Sequence, residues 1–454
     1  MSIDFSPCER FILEKMSETK IPGLSIAVVK DDEVVYARGF GFKDLDSGTA
    51  VSPRTLFGIG SVTKSFTALA IMMLAEEDKL DVNDSIEKWV PLKIRPFGEE
   101  IRIHHLLTHS SGIPALAYAE AFISNVLGLD HYWLPVASPE DIISFMADAD
   151  KWVHAKPGER FFYLNEGYVL LGYIISKVSG VRYETFIKER ILKPLRMERS
   201  YFAKDEVKRD GDFATPYIID KEGKHIKSRF PFGVTADGGL ISNVLDLANY
   251  IMMYLNRGEF NGNVLVKRES IELMEQIHIR YPYALFEGEG YGYGWSIVPN
   301  FYGHKLVNHS GSVGVHTAYV GYIPGKKVGV AVLANAAGYP LRFIGMYILA
   351  YLLGENPEEL PMIKNERILK KLEGIYETYK GTFRVEIKKA GDYLIMIEKN
   401  KYQEFSTPLV PEKLSEDLAL FYVISAGRKI PAEFIIKKDR IEFIYERYKF
   451  IKRQ

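Results

Sequence analysis

The chain has 454 residues, 47% of them hydrophobic, and carries 58 Lys and Arg against 59 Asp and Glu for a formal charge of −1. That length suffices for one large core or two to three domains, and the interspersed acids and bases point neither to nucleic acid nor to a membrane surface as partner. Cys8 is the only cysteine, which excludes an internal disulfide and a cysteine-based metal site and fits a reducing cytoplasm.

Residues 1–20 lack the basic and apolar regions of a signal peptide, and no apolar run reaches the length of a membrane span. Glutamine occurs only at 276, 403 and 454, a scarcity that hints, beside abundant Lys and Glu, at a heat-adapted source. Residues 24–30 and 34–42 are β-type runs separated by Asp31-Asp32-Glu33, a hairpin signature. Next come Gly58-Ile59-Gly60 and Ser61-Val62-Thr63-Lys64, followed by an apolar run to Leu74 that reads as a buried helix. Helical stretches dominate to about residue 255; within them 166–178 reads as a helix stopped near Gly180. Gly238-Gly239 is a glycine turn entering a helix and fits no nucleotide fingerprint. Strands are expected at 292–298, 317–323 and 328–334, with a turn at Pro324-Gly325-Lys326-Lys327, then a buried helix at 343–353. Strands at both ends with helices between them predict one mixed sheet completed by distant segments. From about 374 to 451, short runs alternate aromatic or branched with charged residues between frequent turns, which predicts a small antiparallel barrel or sandwich.

Three separated segments carry chemistry. If Ser61 stands at a helix start, Lys64 lies one turn on and on the same face, within reach of the serine oxygen. The helix N-terminus adds N–H donors and a dipole that favour a forming anion. In Tyr163-Leu164-Asn165, a tyrosine near Lys64 can have its phenol acidified and relay the proton of Ser61, while Asn165 holds Lys64 and a substrate carbonyl. Alone, the triplet also reads as a core tyrosine with a turn asparagine. In His309-Ser310-Gly311-Ser312, Gly311 allows close backbone approach and the Ser312 N–H can join that of Ser61 in an oxyanion hole; alone, the segment also reads as a β-turn. His105 and His109 have metal-like spacing, but Leu106 stands where a zinc protease has its glutamate, so they are read with Ser110-Ser111-Gly112 as a loop beside the site.

Taken together and in order, residues 21–29, Gly39-Phe40-Gly41, 55–67, 105–113, Pro157-Gly158-Glu159-Arg160-Phe161 with Tyr163 and Asn165, and His309 to Ser312 resemble the serine β-lactamase and penicillin-binding-protein superfamily. The likeness is to its class C-like branch of peptidases, esterases and amidases, and covers residues 20–340. It implies an α/β sandwich with an all-helical lobe at about 65–255, within a hydrolase domain of residues 1–356. Ser61 falls where the family has its acylated nucleophile, Lys64 its activating partner, Tyr163 its proton relay and Asn165 a positioning group. His309, Ser310 and Gly311 fall on the third motif, usually Lys-Thr-Gly, with the N–H groups of Ser61 and Ser312 as oxyanion donors.

His309 departs from that motif. A histidine near neutrality holds less charge than the lysine that grips a substrate carboxylate, which argues against penicillin hydrolysis and carboxypeptidase action. His-x-Gly is similar to D-aminopeptidase-type members, where a free amine is recognised. Residues 357–454, as a small lipocalin-like antiparallel β-barrel behind such a domain, resemble the arrangement in archaeal compartmentalising serine peptidases, which form closed homo-oligomers and admit short peptides. The expectation is a cytoplasmic serine peptidase for short peptides, tolerant of D-residues, with neither metal nor cofactor. The alternatives are a carboxylesterase or β-lactamase-like hydrolase on the same residues, and a non-catalytic binding protein on this scaffold.

Overall fold

The computed structural model describes residues 3–129, 134, 136, 138–233 and 235–453; the parts of the expected helical lobe at 130–133, 135, 137 and 234 lie outside them. Two compact units divide the chain, Met1–Glu355 and Asn356–Gln454.

The first unit opens with α1 (Ser6–Thr19) and the strands β1 (Gly23–Lys30) and β2 (Glu33–Asp44). These strands pair antiparallel around Asp31 and Asp32, both in left-handed backbone with φ 47° and 69°, a conformation that Asp tolerates because its short side chain bonds locally. The helices α2 (Thr63–Glu76), α3 (Asn165–Ser179) and α4 (Val244–Leu255) follow. Then come β3 (Ser296–Phe301), β4 (His304–Ser312), β5 (Thr317–Ile323), β6 (Val328–Ala334) and α5 (Leu341–Leu352).

One nine-stranded antiparallel sheet runs in the order Ile279–Arg280, Gly290–Tyr291, β3, β4, β5, β6, β1, β2, Thr49–Ala50. The early hairpin therefore completes a sheet built by strands about 300 residues later, with Ala27 opposite Ala331. Tyr319 and Tyr322 of β5 point to opposite faces by strand alternation. A Cβ on Gly345 of α5 would stand 2.1 Å from the Tyr319 ring, and one on Gly329 would meet Ile251 of α4 and Tyr322. α4 and α5 thus cover opposite faces. That is why β6 is buried at every residue and reads as an unbroken apolar run instead of an alternating one.

α2 is buried from Thr63 to Leu74, as its apolar surroundings on all sides require, and packs on α3. α3 ends on Gly180 in left-handed backbone, the C-cap expected from sequence. The expected strand at 292–298 is corrected: Gly290–Tyr291 and β3 are strands, but the chain turns between them. Gly294, at φ 72°, passes so close to α2 that a Cβ there would lie 2.8 Å from the Lys64 carbonyl.

In the second unit α6 (Pro361–Leu372) precedes β7 (Gly374–Glu377), β8 (Arg384–Ala390), β9 (Tyr393–Lys399), β10 (Glu404–Leu414), β11 (Leu418–Ser425), β12 (Arg428–Ile436), β13 (Ile441–Tyr445) and β14 (Tyr448–Lys452). The eight strands close into an antiparallel barrel, β14 pairing back to β7. Alternate residues such as Val385, Ile387, Leu394, Met396, Phe421, Phe434 and Phe443 are buried together in its core, so side chains fill this barrel as they do in other small ones. Among the described residues no helix is long and apolar enough to cross a membrane.

Candidate active site

Ser61 sits in a short 3-10 turn, Gly60–Val62, at the entry to α2. Lys64, fully buried on the first turn of α2, points its ammonium back to the serine, donating to Ser61 Oγ at 3.0 Å. It also donates to Asn165 Oδ1 at 2.8 Å and to the Asp237 carbonyl at 2.7 Å. Its three protons thus meet three acceptors. Burial is the main influence on this amine and takes its pKa down to about 8, opposed by the carboxylates of Asp237, Glu120 and Glu166.

Tyr163 lies in the loop that leads into α3, and Asn165 is the first residue of that helix. The Tyr163 phenol faces Ser61, whose hydroxyl favours its ionised form, and Lys64 Nζ stands 4.9 Å from the Tyr163 ring centre. The expected acidification of this phenol is corrected. Burial dominates and pushes its pKa well up, and the nearby Ser61 hydroxyl only partly opposes that.

His309 to Ser312 form the end of β4, a strand and not a turn. Contact with the serine turn is backbone on backbone. A Cβ on Gly60, which has φ 51°, would lie 2.5 Å from the Ser312 nitrogen, and one on Gly311 would lie 1.9 Å from the Ile59 carbonyl oxygen and 2.9 Å from the Ser61 nitrogen. Glycine at both positions is what lets the main chains of Ser61 and Ser312 meet. His309 is buried; its Nδ1 is 2.6 Å from the Ser310 carbonyl, to which it donates, leaving Nε2 to accept from the Tyr291 hydroxyl at 2.9 Å. Burial first, and then the Lys64 charge, takes its pKa down to about 3, so this imidazole is neutral throughout the range in which Lys64 gives up its proton.

Ser61, Tyr163, Asn165 and His309 to Ser312 all line one cavity of about 810 Å³, with Lys64 beneath its floor. Ile123, Leu127 and Tyr281 give it apolar walls, and Glu120 and Arg342 give it charge. Arg342 pairs with buried Glu289. The arrangement therefore joins an alcohol, an amine, a phenol and two converging main-chain segments around space for an acyl group, the set that nucleophilic acyl transfer requires. Among the described residues no cluster of His, Cys, Asp or Glu is arranged to hold a metal ion.

Sequence reasoning missed three participants. Asp237 precedes the glycine turn noted above, supplies the carbonyl that holds Lys64, and accepts a 2.5 Å hydrogen bond from Tyr118 through its carboxylate. Tyr291 orients His309. His109, read only as loop, is buried against Tyr163. The Gly238-Gly239 turn was a visible signal for the first; a pairing across 18 residues left none for the second.

Comparison with known proteins agrees with this architecture. Residues 8–353 match the family described as Beta-lactamase, and residues 357–451 match one described as the Pab87 octamerisation domain. The chain is 56% identical to a structure described as the octameric penicillin-binding protein homologue from Pyrococcus abyssi, covering 99% of this chain and 100% of that one with a TM-score of 0.95. It is 31% identical over 334 residues to "Protein flp" of Staphylococcus aureus, which covers 72% of this chain, and the chain spans 62% of that relative's length. A D-amino acid amidase from Ochrobactrum anthropi SV3, 20% identical with a TM-score of 0.63 over 80% of this chain and 100% of its own, shares the fold.

Proposed function

The chain belongs to the Beta-lactamase family, and on that premise we propose that it is a serine peptidase that hydrolyses short peptides from their amino ends, accepts D-residues, and works through an acyl-enzyme on Ser61. The observation that carries this reading is the 3.0 Å contact between Lys64 Nζ and Ser61 Oγ on the floor of a cavity that also holds Tyr163 and His309.

In this reading Lys64 acts once it has lost a proton. It takes the Ser61 hydroxyl proton as Oγ attacks the scissile carbonyl, and the N–H groups of Ser61 and Ser312 take up the charge growing on the carbonyl oxygen. Tyr163, facing the serine hydroxyl, passes its proton to the leaving amine and is refilled by the proton that Lys64 took from Ser61, so the amine departs as the acyl-enzyme forms with Lys64 and Tyr163 both neutral. Water attacks that ester with the same groups in reverse, releasing the acid and restoring Ser61. Asn165 holds Lys64 in line. The neutral His309 supports amine-bearing substrates over those that present a carboxylate to this strand, because it offers no cation there.

Because Lys64 titrates near pH 8 and must be unprotonated to act, kcat/KM is expected to rise with pH and level off above about 8. Two pH units below that limb the rate should be lower by about a hundredfold; a rate flat from pH 6 to 9 would contradict the role of Lys64. Rates on L- and D-alanyl p-nitroanilides, p-nitrophenyl butyrate and a chromogenic cephalosporin test the substrate class. Turnover of the anilides well above that of the other two is expected, and preference for the ester or the lactam would reject the peptidase reading.

We also propose a closed homo-oligomer in the cytoplasm, assembled through the second unit. Support comes from the described names of its relatives and from Tyr379, Tyr402, Phe405 and Ile424, large apolar side chains more than half exposed on the barrel unit. Native mass spectrometry is expected to give one species at a multiple of the chain mass, shifted toward monomer by Phe405→Glu combined with Ile424→Glu. A wild-type monomer would contradict the assembly.

A further inference from the structure

His109 is buried, yet its backbone is left-handed at φ 57°. A residue with a Cβ pays for that conformation by about 1–2 kcal/mol, and such strain persists only where the surroundings enforce it. Three residues on, Gly112 takes the same backbone region at φ 84° without that penalty. An imidazole at position 109 must therefore do something that glycine cannot.

Its carbonyl and its ring nitrogen both bind one segment. The His109 carbonyl accepts the Phe162 N–H at 2.8 Å, and its Nδ1 accepts the Leu164 N–H at 2.9 Å. Between those two residues stands Tyr163, whose ring lies 4.1 Å from the imidazole, centre to centre, inclined by 31°. Since Nδ1 accepts, Nε2 carries the proton. That N–H is buried without a hydrogen-bond partner, and the rings of Tyr168 and Tyr291 lie 5.0 and 4.9 Å from the imidazole. Protonating the ring would turn Nδ1 into a donor aimed at the Leu164 N–H. Burial, followed by the Lys64 charge, works against that change. With no acceptor on Nε2 and no second proton available, His109 has no route by which to relay a proton. What remains is geometry: one residue fixes the backbone on both sides of Tyr163 and the ring between them.

We propose that His109 is the positioning residue of Tyr163, clamping segment 162–164 so that the phenol stays on Ser61. This rests on the reading of Tyr163 as a proton relay, so the experiment separates the two. Acylation of Ser61 by an alanyl p-nitroanilide, whose amine leaving group must be protonated, is followed by release of p-nitroaniline in the wild type, His109→Gly, Tyr163→Phe and the double variant, with circular dichroism to establish folding. His109→Gly suits the left-handed backbone while deleting both the ring and the acceptor. It is expected to slow acylation by about a hundredfold, the usual cost of misplacing a reacting group by about 1 Å, with KM within about twofold. In the Tyr163→Phe background the same change should alter the rate by no more than about threefold, because residues acting as one unit are not additive. His109→Asn tolerates the same backbone and keeps a side-chain acceptor. It should recover at least about a tenfold share of the loss, and it replaces the glycine variant in the cycle if that one does not fold. Losses that multiply in the double variant, or a His109→Gly rate within about threefold of wild type, would overturn the proposal. Tyr163→Phe at the wild-type rate would reject the role of Tyr163 itself, and the positioning role with it.

Discussion

Ser61→Ala is expected to lose hydrolysis by about a millionfold, the scale on which serine hydrolases fail when the nucleophile is removed. The fold should persist. Ser61 is only half-buried at the cavity wall, and its side chain leaves behind one acceptor position, that for Lys64. Lys64 keeps Asn165 and the Asp237 carbonyl as partners, so the stability lost is about 1.5–3 kcal/mol, one hydrogen bond to a charged group. Steady-state kinetics on any accepted substrate, alongside thermal melting, separates chemistry from folding. Hydrolysis near the wild-type rate in a folded Ser61→Ala protein would remove Ser61 from the mechanism.

Gly311→Ala should also be strongly damaging, for a different reason. The added methyl would sit 1.9 Å from the Ile59 carbonyl oxygen and 2.9 Å from the Ser61 nitrogen, contacts to backbone that cannot rotate away. Either β4 or the serine turn must move, and both carry the proposed oxyanion donors. Overpacking of this kind costs about 1–3 kcal/mol, and loss of one aligned oxyanion donor costs about a hundred- to a thousandfold in kcat. Gly325→Ala is the matched control, since a Cβ there meets nothing within 4 Å. Equal activity in the two variants would show that close approach of β4 to Ser61 is not needed for turnover.

Local patterns were the legible part of this chain. The 24–30 and 34–42 hairpin, the helix after Lys64, the Gly180 stop and the alternating barrel strands all follow from side-chain periodicity and turn chemistry, which act over a few residues. Of the residues that the motif order singled out, Ser61, Tyr163, Asn165 and His309 line one cavity and Lys64 reaches Ser61 and Asn165 from beneath it, although 248 residues separate Ser61 from His309. What escaped depends on neighbours distant in sequence. The stretch from Gly292 looked like strand but turns because α2 presses on Gly294. The Tyr163 phenol was expected to be acidified by a nearby lysine, yet burial raises its pKa and the opposing influence is the Ser61 hydroxyl, and burial of a single loop residue has no signature in sequence. Asp237 acts on Lys64 through its main-chain carbonyl, a group that every residue type offers.

The most direct measurement is intact-protein mass spectrometry with peptide mapping after exposure to a fluorophosphonate. One adduct per chain on Ser61, absent from Ser61→Ala, with hydrolysis lost in step with labelling, is the expected result. Hydrolysis that continues with Ser61 fully modified, or an adduct that maps to another residue and abolishes turnover, would contradict it.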